Sequence, residues 1–169
     1  MSKAGEATNW IQAQPYFSEL SLQEAQEAGS FSFIWGIFEL RVMEVLQKDK
    51  SVSLSKTVCQ EYAASAYLPD CDLLGEKKYF KERFFDENGE PNKTWNGALF
   101  RPADKSEEIK DILLSENSTH EENAEALIRI VSRLRNNFFH GYKWAYNLKG
   151  QLHNFTQGSS VLIKLMPPI

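Results

Sequence analysis

The sequence is poor in cysteine. Cys59 and Cys71 are the only two. They form no CxxC pair and have no histidines at zinc spacing, which excludes a disulfide framework and a zinc site and leaves two reduced thiols, as in a cytoplasmic protein. A long apolar run is also missing. The most apolar stretch, 31–46, is broken by Glu39, Arg41 and Glu44. It falls short of the ~20 apolar residues that cross a membrane, so no membrane association is expected. The opening residues Met1-Ser2-Lys3-Ala4-Gly5-Glu6 are polar, with no apolar segment of the kind a secretory signal needs. Repeats and low-complexity tracts are absent. No strong positive charge covers the whole chain either: the net charge is −4, which argues against nucleic acid binding over the entire surface.

Another scarcity is local. Between Ala126 and Ile169 there is no Asp or Glu, while Arg129, Arg133, Arg135, Lys143, Lys149 and Lys164 all fall there. All 23 acids of the chain therefore precede that segment. Cations near a helix carboxyl end offset its dipole, but that accounts for one or two of the six. An anionic partner for the basic segment is the wider reading.

Enough apolar material is present for a single domain with its own core: 42% of the 169 residues are hydrophobic and 12% aromatic, outside the range of disordered chains. Residues 1–14 read as a loose polar arm. A short helix is expected over 17–28, capped by Ser18 or Ser21 and stopped by Gly29. A second, over 31–47, is apolar on nearly every face and is expected to be buried centrally. Glu39 in its middle must either face water beside Arg41 or meet a cation, with Arg135 as a candidate bidentate partner. Helical spacing continues over 53–67 and 73–85. Residues 93–102 read as a hairpin or irregular loop, and 69–103 as a long irregular insert between core helices. A helix over 106–114 follows. The main helix starts at Ser118 or Thr119, each with Glu three residues later. It carries Ala124, Leu127, Ile128, Val131, Leu134 and Phe138 on one stripe and stops at Gly141. A last helix covers 151–165. The expected fold is an all-α bundle of about four to six helices.

Chemistry concentrates in Arg133-Leu134-Arg135-Asn136-Asn137-Phe138-Phe139-His140-Gly141-Tyr142-Lys143. Arg135 offers a planar, always-charged fork that matches phosphate oxygens, and His140 a group that moves protons near neutral pH. Together they suffice for attack of an RNA 2′-hydroxyl on its neighbouring phosphate, with no metal and no cofactor. Arg133 and Lys143 flank them as further contacts for RNA. On a regular helix Arg135 and His140 stand roughly 140° apart. Either the helix unwinds before Gly141, or two copies meet across a two-fold axis and line one cleft together.

Arg135-Asn136-x-x-x-His140 resembles the signature of HEPN domains (higher eukaryotes and prokaryotes nucleotide-binding), and RNNFFHGYK from Arg135 to Lys143 is similar to its commonest wording. The earlier Phe33-Ile34-Trp35-Gly36-Ile37-Phe38-Glu39 resembles the aromatic helix that precedes the motif helix in several such domains. The resemblance implies an α-helical bundle, usually a homodimer, and often a metal-independent ribonuclease of toxin or phage-defence systems. Arg135 and His140 would be the catalytic pair, Asn136 their polar support, and Glu39 a group that positions Arg135. Tyr142 extends the match. In the branch paired with minimal nucleotidyltransferase antitoxins, a tyrosine at that place is adenylylated, so a cognate antitoxin or nucleotidyltransferase is a partner the resemblance implies. HEPN domains also serve as inactive modules, which gives the alternative: a dimer that binds RNA, nucleotide or a partner protein without cutting. The resemblance covers the last third of the chain, and 69–103 matches nothing.

Overall fold

A computed structural model describes residues 3–14, 21–51, 53–98, 100–139 and 150–168. Among them the fold is all-α. Its helices are α1 (Lys3–Gln12), α2 (Leu22–Val45), α3 (Lys56–Ala63), α4 (Leu74–Phe84), α5 (Lys93–Gly97), α6 (Ser106–Leu114), α7 (His120–Phe139) and α8 (Leu152–Lys164), with a 3-10 turn at Pro102–Asp104. The bundle expected from the sequence is present, with more helices than expected. The amino-terminal arm is helical, and so is about half of 69–103.

The central helix is α7, not α2. It packs against α3, α4, α6 and α8, and Ala124, Ala126, Leu127, Ile128, Ile130 and Val131 are buried on all its sides. Its start is fixed by a reciprocal cap. The Thr119 N–H donates to Glu122 Oε2 at 2.8 Å, and the Glu122 N–H donates to Thr119 Oγ1 at 3.2 Å. Two amide donors that a helix end leaves orphaned are thereby satisfied.

α2 begins with the same device at Ser21 and Glu24 and runs straight through Gly29, which was expected to stop it. A mid-helix glycine costs about 1 kcal/mol. Burial of Ala28, Phe31, Trp35, Phe38 and Val42, at spacings of a helix face on both sides of Gly29, outweighs that. This face lies along α8. Glu24 Oε1 accepts the Gly150 N–H at 2.9 Å, and Phe31 meets Phe155 with ring centroids 5.5 Å apart. Gly158 permits the close approach, because a Cβ there would stand 2.9 Å from Phe31 Cε2. The opposite face of α2 is open: Phe33 is 78%, Ile37 52% and Leu40 42% exposed. Apolar residues on every face did not bury every face.

The region expected as an irregular insert is built into the bundle. α4 touches α6, α7 and α8, and its Phe80 and Phe84 are fully buried, stacked with centroids 5.9 Å apart. Trp95 of α5 packs edge-on against Phe84. Cys59 is buried and free, and that burial raises its thiol pKa to about 12.

Glu76 ties α4 to α8. It is buried, and accepts hydrogen bonds from Ser160 Oγ at 2.6 Å and Lys164 Nζ at 2.9 Å. Burial alone would raise its pKa, but the two bonds and the Lys164 charge more than reverse this and hold it below 4.5. A carboxylate depressed by folding stabilises the native state above its unfolded pKa, and that stabilisation disappears as pH falls through the folded value. Chemical denaturation should therefore show stability declining on acidification below about pH 4.5. Glu76→Gln should cost about 2 kcal/mol at neutral pH and flatten the acid-side slope.

Candidate functional site

The polar residues near the end of α7 divide between two sides. Arg129, Arg133 and Asn137 recur every fourth residue and face the 98–105 segment. Arg129 Nη1 donates to Glu125 Oε1 at 2.8 Å and to Glu108 Oε2 at 3.3 Å, and Nη2 donates to the carbonyls of Asp104 and Lys105. Arg133 Nε donates to the Ala98 carbonyl at 3.2 Å, which also accepts from Asn137 Nδ2 at 2.7 Å. Arg133 Nη2 donates to Asn137 Oδ1 at 2.8 Å. These bonds satisfy carbonyls just after α5 and around the 3-10 turn, which no helix ladder reaches. Arg133, expected as an RNA contact, thus also serves the fold.

Arg135 faces α2. Its guanidinium carbon stands 5.8 Å from the centroid of the Trp35 ring, and its Nη1 donates to Asn136 Oδ1 at 3.1 Å. A guanidinium over an indole face is attracted by the ring quadrupole. Trp35 is in turn held: its Nε1–H donates to Glu39 Oε2 at 3.2 Å, and Glu39 Oε1 accepts the Leu54 N–H at 3.5 Å. Glu39 therefore reaches the surroundings of Arg135 through the indole that the two share. His140, Gly141, Tyr142 and Lys143 lie outside the described residues, and with them the geometry between Arg135 and His140.

Asn136 also lines a polar cleft on the far side of α7, with a volume of about 160 Å³. Its walls include Ser53, Ser55 and Lys56 at the start of α3, Arg101 beside the 3-10 turn, and Arg133. Burial and the charge of Arg101 lower the Arg133 pKa, and Asp104 opposes them. His120 lies elsewhere, with Nε2 2.9 Å from the Pro69 carbonyl, and His153 is exposed. Among the described residues no group of three or more His, Cys, Asp or Glu is placed to hold a metal ion, and no helix is long and apolar enough to cross a membrane.

Sequence reasoning missed Trp35, Arg101 and Asn137. For Trp35 a signal existed, since it sits one turn before Glu39 on the same helix face. For Asn137 the signal was its phase, three residues after Leu134 on the buried side. Arg101 gave none, because the position of the turn that carries it depends on the Arg129 contacts. No family model, no curated protein and no solved structure matches the chain, so any reading of function rests on these residues and on the motif that contains them.

The Arg135–Trp35 contact should be measurable as a coupling. A double-mutant cycle of Trp35→Phe and Arg135→Met, followed by urea denaturation, should give an interaction of about 0.5–1 kcal/mol. A coupling indistinguishable from zero would remove Trp35 as a support for the guanidinium.

Proposed function

We propose that the chain is a HEPN-type, metal-independent endoribonuclease of the cytoplasm, acting in a toxin or phage-defence system. One observation carries the reading: Arg135, the arginine of the motif, is held on the central helix by an amide oxygen on one side and an indole face on the other. A fork fixed in this way stabilises charge on a phosphate without having to reorganise during the reaction. The 2′-oxygen of the substrate ribose attacks the adjacent phosphorus and the bond to the 5′-oxygen breaks. His140 carries the proton from the nucleophile or to the leaving group, and Arg135 neutralises the equatorial oxygens. Asn136 orients Arg135. The products are a 2′,3′-cyclic phosphate and a 5′-hydroxyl. Tyr142, two residues after His140 in the sequence, is the position that a nucleotidyltransferase antitoxin would modify to silence the enzyme.

Arg135→Ala and His140→Ala should each lower RNA cleavage by about a hundredfold or more, in buffer containing EDTA, with the helical circular dichroism unchanged. The assay is gel analysis of a mixed RNA pool with end-group mapping. Cleavage that persists in both variants, or that appears only with added divalent metal, would sink the reading.

The alternative, an inactive dimer that binds RNA, nucleotide or a partner protein, is favoured by the open stripe Phe33-Ile37-Leu40 on α2. In this alternative the stripe is the surface that a second copy of the chain covers. Arg41 and Glu44 sit at one end of it, one of each sign, so two copies related by a two-fold axis can present opposite charges to each other. Sedimentation should report a dimer for the native chain and a monomer for Phe33→Asp. A dimer with no RNA cleavage would select this alternative, and a monomeric native chain would exclude both the dimer and a site shared between copies.

A further inference from the structure

We infer that the cleft between the start of α3 and α7 is a phosphoryl-binding site, separate from the Arg135 position and joined to it by Asn136. The first ground is charge. Two guanidinium groups, Arg101 from the 3-10 turn and Arg133 from α7, face the cleft from different elements. The one acid lining the cleft is Asp104, which is 3.9 Å from Arg133 Nη1 and already accepts the Arg101 backbone N–H at 2.6 Å. The other two cations of the wall are matched from outside it: Lys56 by Glu108 at 2.7 Å, and Arg129 by Glu108 and Glu125. One positive charge in the cleft is thus left over, and two like charges crowd each other where an anion would relieve them.

The second ground is the donor set. The opposite wall is the amino end of α3, where the helix dipole is positive and Ser55 Oγ accepts the Val58 N–H at 3.4 Å, leaving its own proton free to point into the cleft. Ser53 and Ser132 add hydroxyls, and Asn136 adds an amide NH2. The space of about 160 Å³ is far more than one water needs and admits a phosphoryl group. Planar guanidinium forks, hydroxyls and a helix amino end together suit a group with three or four acceptor oxygens. Asn136 bridges the two places, since its Oδ1 holds Arg135 while its side chain lines the cleft. If the ribonuclease reading holds, the cleft takes a phosphate of the same strand, neighbouring the one at Arg135. The anion site itself does not depend on that reading.

The test is titration of the full ¹⁵N-labelled chain, first with inorganic pyrophosphate and then with a cleavage-resistant 2′-O-methyl RNA oligonucleotide. Pyrophosphate should shift the amides of Ser53, Ser55, Lys56 and Ser132. Arg101→Ala, at an exposed position, and Ser55→Asp, which retains an N-cap while adding a negative charge, should each weaken it about tenfold. Arg135→Ala, which releases only the Asn136 oxygen, should change it far less than either cleft variant. For the oligonucleotide, Arg101→Ala should reduce the slope of log affinity against log salt by ~0.7, the share of one single-strand phosphate. Amides that do not move, or native affinity in both cleft variants, would overturn the site. Shifts with pyrophosphate but not with the oligonucleotide would keep the site and assign it to a free nucleotide. RNA cleavage surviving in both Arg135→Ala and His140→Ala would remove the ribonuclease reading and leave the cleft standing.

Discussion

Arg129 is only 6% exposed, and a guanidinium so deeply placed in a bundle must be compensated, because an unpaired buried charge costs several kcal/mol. The surrounding architecture is arranged around that need. Glu125 reaches it from one turn earlier on α7, Glu108 from the first turn of α6, and the carbonyls of Asp104 and Lys105 from the segment between. Satisfying this one cation fixes α6 across α7 and sets the 3-10 turn in place, with Lys105 at a φ of +48°. One turn further along, Arg133 and Asn137 close on the Ala98 carbonyl and repeat the arrangement.

That arrangement changes the meaning of the charge asymmetry. Six cations in a stretch without acids suggest an external anion, but three of them find acids inside the molecule. Arg129 meets Glu108 and Glu125, Arg133 lies near Asp104, and Lys164 pairs with Glu76. The acids come from earlier parts of the chain, so the segregation by sequence is partly a statement about which elements touch. Arg135, on the same helix, also lies over an aromatic ring beside an amide oxygen, and these contacts fix the plane of its fork.

Much of the fold was legible because local rules and packing agreed. The capping pairs at Thr119/Glu122 and Ser21/Glu24 are readable three residues apart, and the stripe from Ala124 to Phe138 has the period of a helix. The reading failed where packing overrode a local signal. Gly29 looked like a stop, but apolar residues in phase on both sides carry the helix through it. The 31–47 stretch looked buried all round because composition does not say which face meets a neighbour. That face is set by Gly158, whose missing side chain lets α8 come against Phe31. Of the candidate site, Arg135 and Asn136 were nameable from the motif, and Glu39 as a carboxylate amid apolar residues that needs water or a cation. Trp35 as the element between Glu39 and Arg135 was not, since it requires knowing how α2 and α7 face each other.

Asn136 is the residue on which the two sides of α7 converge. Its neighbours in sequence point apart: Arg135 toward α2 and Asn137 toward the 98–105 segment. A short side chain between them reaches the guanidinium on one side and the cleft on the other. A polar residue there that only capped or filled space would not need to satisfy both, and an asparagine, with one acceptor and two donors on a planar amide, is suited to do so. Its oxygen is committed to Arg135, which leaves the donors for whatever enters the cleft. An anion bound there would draw the amide toward it and so act on the orientation of Arg135. An anion in the cleft would thus meet Arg135 through one planar group, with no strand needed to span both.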